Sequence, residues 1–148
     1  MYRNSEGYKD PTAGMALGQA MRDYRREQKE IWRKQYEMKH QKKVYVVSRY
    51  AGDIEKNTDD AIRACRFLIK RHKQPIASHL MYPSILGLDD TDKDSRELGL
   101  MYGLSLLAIC DEVYCFVTGD GISKGMETEI REAKKLGKPI HYIKVEEI

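Results

Sequence analysis

From residue 43 onward, short runs rich in β-branched and aromatic residues alternate with stretches of helical periodicity. Val44-Tyr45-Val46-Val47 is the first such run, and Pro75-Ile76-Ala77-Ser78-His79 the second. Glu112-Val113-Tyr114-Cys115-Phe116-Val117 is the third, and residues 139–145 are the last. Each reads as a strand, the first of them buried and the second short. Between them, residues 58–73 place Ala61, Ala64, Cys65, Leu68 and Ile69 on one helical face. Residues 96–110 form a second helix, and Ser123 opens a third that Gly137 closes. Strands separated by helices cannot pair as hairpins. They pair in parallel, and a parallel sheet needs cover on both faces. The βαβαβαβ order therefore predicts a three-layer α/β/α fold, Rossmann-like or flavodoxin-like, with a parallel sheet of about four strands.

Right-handed crossovers bring all strand C-termini to one edge, where open α/β sheets bind ligands. Three segments converge there, residues 48–53, 78–82 and 118–129. Residues 81–94 read as a loop with an acidic cluster at Asp89, Asp90, Asp92 and Asp94. The cluster lacks an EF-hand register and fits the acidic first turn of the following helix, so no metal site and no cofactor are expected.

Ahead of this body, Asp10-Pro11 reads as an N-cap followed by Pro at the first helical position. The helix it opens runs to about residue 41, with Leu17, Met21, Tyr24, Ile31 and Met38 as a narrow apolar stripe. The expected division is a helical extension over 1–42 and an α/β domain over 43–148. The stripe predicts packing on the body or on another copy, so a homo-oligomer is expected.

Charge follows the same division. Residues 1–43 carry 11 Lys/Arg against 6 Asp/Glu, and residues 44–148 carry 15 against 17. The slightly acidic body argues against nucleic acid as a partner. With 41% hydrophobic and 33% charged residues the balance is that of a globular chain. No apolar run approaches the roughly 20 residues of a membrane span, and the first ten residues lack a signal-peptide core. Three cysteines, odd in number and without metal-ligand spacing, point to a reducing cytoplasm.

Candidate chemistry sits at the strand ends. Ser123-Lys124-Gly125 opens a helix after a strand and a Gly-rich turn, and unpaired N–H groups there suit a phosphate or carboxylate. Ser123 also fits an ordinary N-cap. Glu127 and Glu129 follow within two turns. In the first loop, Arg49 suits a phosphate and Tyr50 a base, and His79 ends the second strand.

Together these residues resemble the nucleoside 2-deoxyribosyltransferase-like superfamily, in particular its small relatives in phage and bacterial genomes. The resemblance rests on Val44-Tyr45-Val46-Val47-Ser48-Arg49-Tyr50-Ala51-Gly52-Asp53, Pro75-Ile76-Ala77-Ser78-His79, Cys110-Asp111-Glu112-Val113, Ser123-Lys124-Gly125-Met126 with Glu129 and Ala133, and Gly137-Lys138-Pro139-Ile140. It spans about residues 43–145. It implies cleavage or exchange of the N-glycosidic bond of a nucleoside or nucleoside 5′-monophosphate, with Glu129 as nucleophile. It places the sugar and base against Ser48, Arg49, Tyr50, Gly52 and Asp53, and the 5′ group against Ser123, Gly125 and Met126. Active members carry an Asp on the helix before the third strand. That position falls near Gly103, where no carboxylate stands, which leaves His79, an acid of residues 89–97 or an acid from a partner subunit to handle the leaving base. It also admits a second reading, a module of the same fold that binds a nucleotide-derived ligand without turnover.

Overall fold

The computed structural model describes residue 3, residues 5–87 and residues 92–148. Asp89 and Asp90 of the acidic cluster lie outside the described residues. The chain divides into two compact units, Met1–His40 and Gln41–Ile148.

The first unit is dominated by helix α1, Pro11–His40. Asp10 caps it, its Oδ1 accepting from the Ala13 amide at 2.8 Å. Thirty residues make a rod about 45 Å long. None of them is buried, and exposed ion pairs such as Arg33–Glu37 and Lys34–Glu30 run along its surface.

The second unit is built on strands β1 (Lys43–Val47), β2 (Gln74–Ile76), β3 (Glu112–Val117) and β4 (Ile140–Lys144). All pair in parallel, in the order β2-β1-β3-β4. Helix α2 (Ile54–Ile69) links β1 to β2. The short α3 (Tyr82–Leu86) and longer α4 (Lys93–Ile109) link β2 to β3, and α5 (Lys124–Lys135) links β3 to β4. The expected α/β/α architecture and the long leading helix are both present.

Strand periodicity sorts the core into two halves. Tyr45 and Val47 face α4 and α5, packing with Leu107, Val113, Cys115, Met126 and Ile130. Val44 and Val46 face the other way, onto Ala64 and Leu68 of α2 and onto Phe116. Every residue from Val44 to Val47 is fully buried, which explains the unbroken apolar run. The strand order reverses at β1, whose neighbours β2 and β3 were reached through opposite layers. The crevice of the fold therefore opens at the C-terminal ends of β1 and β3.

Several boundaries differ from expectation, each for a local reason. Helix α2 begins at Ile54, not Thr58, because the Asp53 carboxylate accepts from the Lys56 amide at 3.1 Å. Helix α4 begins at Lys93, not Arg96, because Asp92 does the same for Ser95 at 3.0 Å. The second strand pairs only over Gln74–Ile76, and Ser78–Leu80 turns away as a 3-10 segment. Residues 81–94 are not all loop. Pro83 fits the first turn of α3, which ends where Gly87 takes a left-handed φ of 59°.

At the N-terminal end of the sheet, the buried Glu112 carboxylate pairs with Lys73 and lies 3.5 Å from His141. Burial opposes ionisation of Glu112, but the hydrogen bond and charge of Lys73 prevail and hold its carboxyl below the usual range. Replacing Lys73 strands that charge. Urea denaturation of Lys73→Met is expected to show a loss of about 3 kcal/mol at neutral pH. Because the Glu112 pKa is depressed, the loss is full above about pH 5 and shrinks as acid protonates the carboxylate.

Candidate functional site

A cleft of about 680 Å³ opens at the predicted edge. Its walls come from the loop after β1, the segment after β2, the first turns of α4 and the start of α5. This volume lies within the range of small-molecule sites.

Glu129 stands in the second turn of α5 and lines the cleft. Its Oε1 accepts from the Tyr45 hydroxyl at 2.6 Å. Tyr45 lies in the middle of β1 and is fully buried. Its oxygen also contacts Ser78 Oγ at 2.9 Å. With the phenol donating to Glu129, Ser78 donates to the phenol. Burial pushes the Glu129 pKa up to about 7, and the Tyr45 hydrogen bond opposes that rise. Burial, then the charge of Glu129, drive the Tyr45 pKa far above its ordinary value, so Tyr45 remains a phenol donor.

Gly103 of α4 packs behind this pair. A Cβ built there would stand 2.8 Å from Tyr45 Oη and 3.0 Å from Ser78 Oγ. The two hydroxyls thus occupy the space that an Asp at this position would need.

Above Glu129, the N-terminus of α5 forms one wall. Ser123 caps it, Oγ accepting from the Met126 amide at 3.3 Å. A Cβ on Gly125 would meet only Ser123 Oγ, at 4.0 Å, so the glycine leaves the helix end open to a ligand. Lys124, with Lys93 and Arg96 from α4, adds positive charge to the lining. Glu97 is the second carboxylate among the described residues that line the cleft.

The remaining candidates separate into two groups. Ser48, Tyr50 and His79 line the cleft together with Ser123, Gly125, Met126 and Glu129. His79 Nε2 and Ser48 Oγ are 2.8 Å apart. Burial lowers the His79 pKa to about 4, so the imidazole is neutral at physiological pH. The Tyr50 ring lies 5.8 Å from it, tilted by 43°.

Arg49, Gly52 and Asp53 do not line the cleft. Arg49 Nη2 donates to the carbonyls of Asp120 at 2.9 Å and Gly121 at 3.2 Å, which ties the first loop to the turn after β3. Gly52 takes a φ of 101°, a value that favours glycine, and Asp53 caps α2. Asn57, not singled out in the sequence, is buried and donates to the carbonyls of Tyr50 at 3.1 Å and Ala51 at 3.0 Å. It holds the Tyr50 backbone at the cleft.

Tyr45 is the main residue that sequence reasoning passed over. Its only signal was a hydroxyl in an otherwise aliphatic strand, since a buried phenol needs a partner. Lys93 and Arg96 carried no local signal, because they reach the cleft only through the packing of α4.

No helix among the described residues is long and apolar enough to cross a membrane. A search of curated protein sequences finds no match. Among solved structures, a 2-deoxyribosyltransferase from Bacillus psychrosaccharolyticus superposes with a TM-score of 0.57 at 14% identity, covering 69% of this chain and 72% of that one. A 2-deoxyribosyltransferase from Leishmania mexicana gives 0.49 at 12% identity, covering 70% and 64%. A CMP N-glycosidase from Clostridium botulinum gives 0.43 at 17% identity, covering 70% and 71%. The first likeness establishes a shared fold. Residues 42–143, the whole sheet but for its final residue and the helices that build the cleft, match a family model described as a domain of unknown function, DUF7768, and the chain belongs to that family.

Proposed function

We propose that the protein cleaves or exchanges the N-glycosidic bond of a nucleoside or nucleoside 5′-monophosphate, with Glu129 as the nucleophile. The observation that carries this reading is the Glu129 carboxylate, held from below by Tyr45 and open to the cleft above. The fold shared with the Bacillus enzyme supports the same chemistry. The cationic lining and the open N-terminus of α5 suit a 5′-phosphate, and Tyr50 suits a base.

In the proposed reaction, Glu129 attacks the anomeric carbon as the base leaves with the electrons of the C–N bond. The product is a glycosyl ester on Glu129. Water or a second base then attacks the same carbon and releases the carboxylate. Glu129 must be ionised to attack, and Tyr45 both orients it and favours its charged form. Neutral His79, paired with Ser48, faces the sugar or base as a hydrogen-bonding group, not as a cation. A leaving base that needs a proton draws it from water.

One observation favours a second reading. Gly103 is sealed by the Tyr45 and Ser78 hydroxyls, so a carboxylate has no room at that position. A module that binds a nucleotide-derived ligand without turnover fits this arrangement.

Incubation with a panel of nucleosides and 5′-monophosphates, with and without a second free base, separates the two. Base release that falls by at least about 10³-fold in Glu129→Gln supports the enzyme. Ligand-induced thermal stabilisation without product supports the binding module.

The pH profile adds an independent check. Activity is expected to rise with pH through about 7 as Glu129 ionises. Tyr45→Phe removes the hydrogen bond that favours the carboxylate, so its ascending limb moves to higher pH and kcat/KM drops about tenfold.

Stability reports the same group. A carboxyl whose pKa is raised in the folded state loses its stabilising contribution as pH climbs from its unfolded value to about 7. Glu129→Gln is therefore expected to raise the melting temperature by about 2–4 °C at pH 8 and to have little effect at pH 5.

A further inference from the structure

We propose that α1 is a dimerisation element that pairs with the α1 of a second copy, side by side and antiparallel. Taken by itself this helix has no interior, since none of its 30 residues is buried. Leu17, Met21, Tyr24, Ile31 and Met38 stand exposed along it. Gln28 and Gln35 complete their spacing to 17, 21, 24, 28, 31, 35 and 38. This unbroken alternation of four and three is the seam of a two-helix coiled coil, about 32 Å long.

Charge decides what lies across the seam and in which direction. One flank presents Arg25, Trp32 and Lys39, and the other presents Ala20, Glu27 and Lys34. In a parallel pair opposite flanks meet, five residues apart. Glu27 would then meet Trp32, and Lys34 would meet Lys39, which offers no attraction and one repulsion. In an antiparallel pair each flank meets its own kind. Setting Met21 opposite Met38, Tyr24 opposite Gln35 and Gln28 opposite Ile31 brings Glu27 of one copy beside Lys34 of the other. The two-fold axis makes that pair twice. It also sets the Arg25 guanidinium against the Trp32 indole of the second copy, a favourable cation–aromatic contact.

Within a single helix, Lys34 reaches only the exposed Glu30, at 3.6 Å, and so stays at the edge of the seam. The glutamines stand where polar seam residues set register at a cost in stability, so the pairing is expected to be reversible.

The test uses the full chain and a charge exchange. Sedimentation equilibrium over roughly 1–100 µM is expected to show wild type approaching twice the 17.2 kDa of one chain. Glu27→Lys and Lys34→Glu each turn two attractions into two repulsions and should weaken the dimer about tenfold. The double variant E27K/K34E restores both attractions of the antiparallel register and should recover wild-type association, whereas in a parallel pair Lys34→Glu alone would already strengthen association by facing Lys39. A monomeric wild type overturns the proposal. Single variants that dimerise like wild type overturn it as well, because the dimer then uses another surface. A double variant no better than the singles rules out the antiparallel register.

Discussion

A phenol buried in the middle of a parallel sheet is the constraint on which the candidate site depends. Tyr45 belongs to a strand that is otherwise all valine around it, and its hydroxyl would be costly to bury alone. The fold meets that demand from two directions, with Ser78 donating to it and Glu129 accepting from it. Each of the three comes from a different element, so the bonds join β1, the segment after β2, and α5. Gly103 completes the arrangement by leaving the space that the hydroxyls fill. The acidity of Glu129 follows from this geometry. Withdrawal from water raises its pKa and the phenol limits the rise, so the carboxyl changes charge near neutrality.

The body thus has two carboxylates, one buried and one half-buried, in opposite electrostatic states. Glu112, at the N-terminal end of the sheet, has a lysine against it and is held ionised. Glu129, at the C-terminal end, has a neutral hydroxyl and sits near the midpoint of its titration at physiological pH. The first arrangement secures a structure, and the second leaves a carboxyl that changes charge near neutrality, as the role proposed for Glu129 requires.

The legible parts of this molecule were those decided by local pattern. The valine run at residues 44–47, the Ser123 cap, and the glycine after α5 each announce themselves within a few residues. Helix starts at Ile54 and Lys93 were harder to read, because Asp53 and Asp92 begin each helix before its apolar periodicity does. The site was legible as a set of loops but not as a set of roles. Arg49 reads as an anion-binding residue, and its Nη2 instead donates to two backbone carbonyls. Asn57 carries no signal in the sequence, yet it fastens a loop from inside. Tyr45 reads as core, which it is, and its second function depends on a residue 84 positions away. Contacts of that kind are set by topology, and no spacing rule in a single strand or helix encodes them.

Arg49 has a mechanical consequence as well. The loops after β1 and β3 flank the point where the strand order reverses, and in an open sheet they are free to move apart. The guanidinium bridge to Asp120 and Gly121 couples them, and Asn57 fastens one of the pair to α2. The two loops are therefore joined into one rim. A ligand of the kind proposed would meet there a wall already joined by these bonds, so less ordering would be left to be done on binding than with two separate loops.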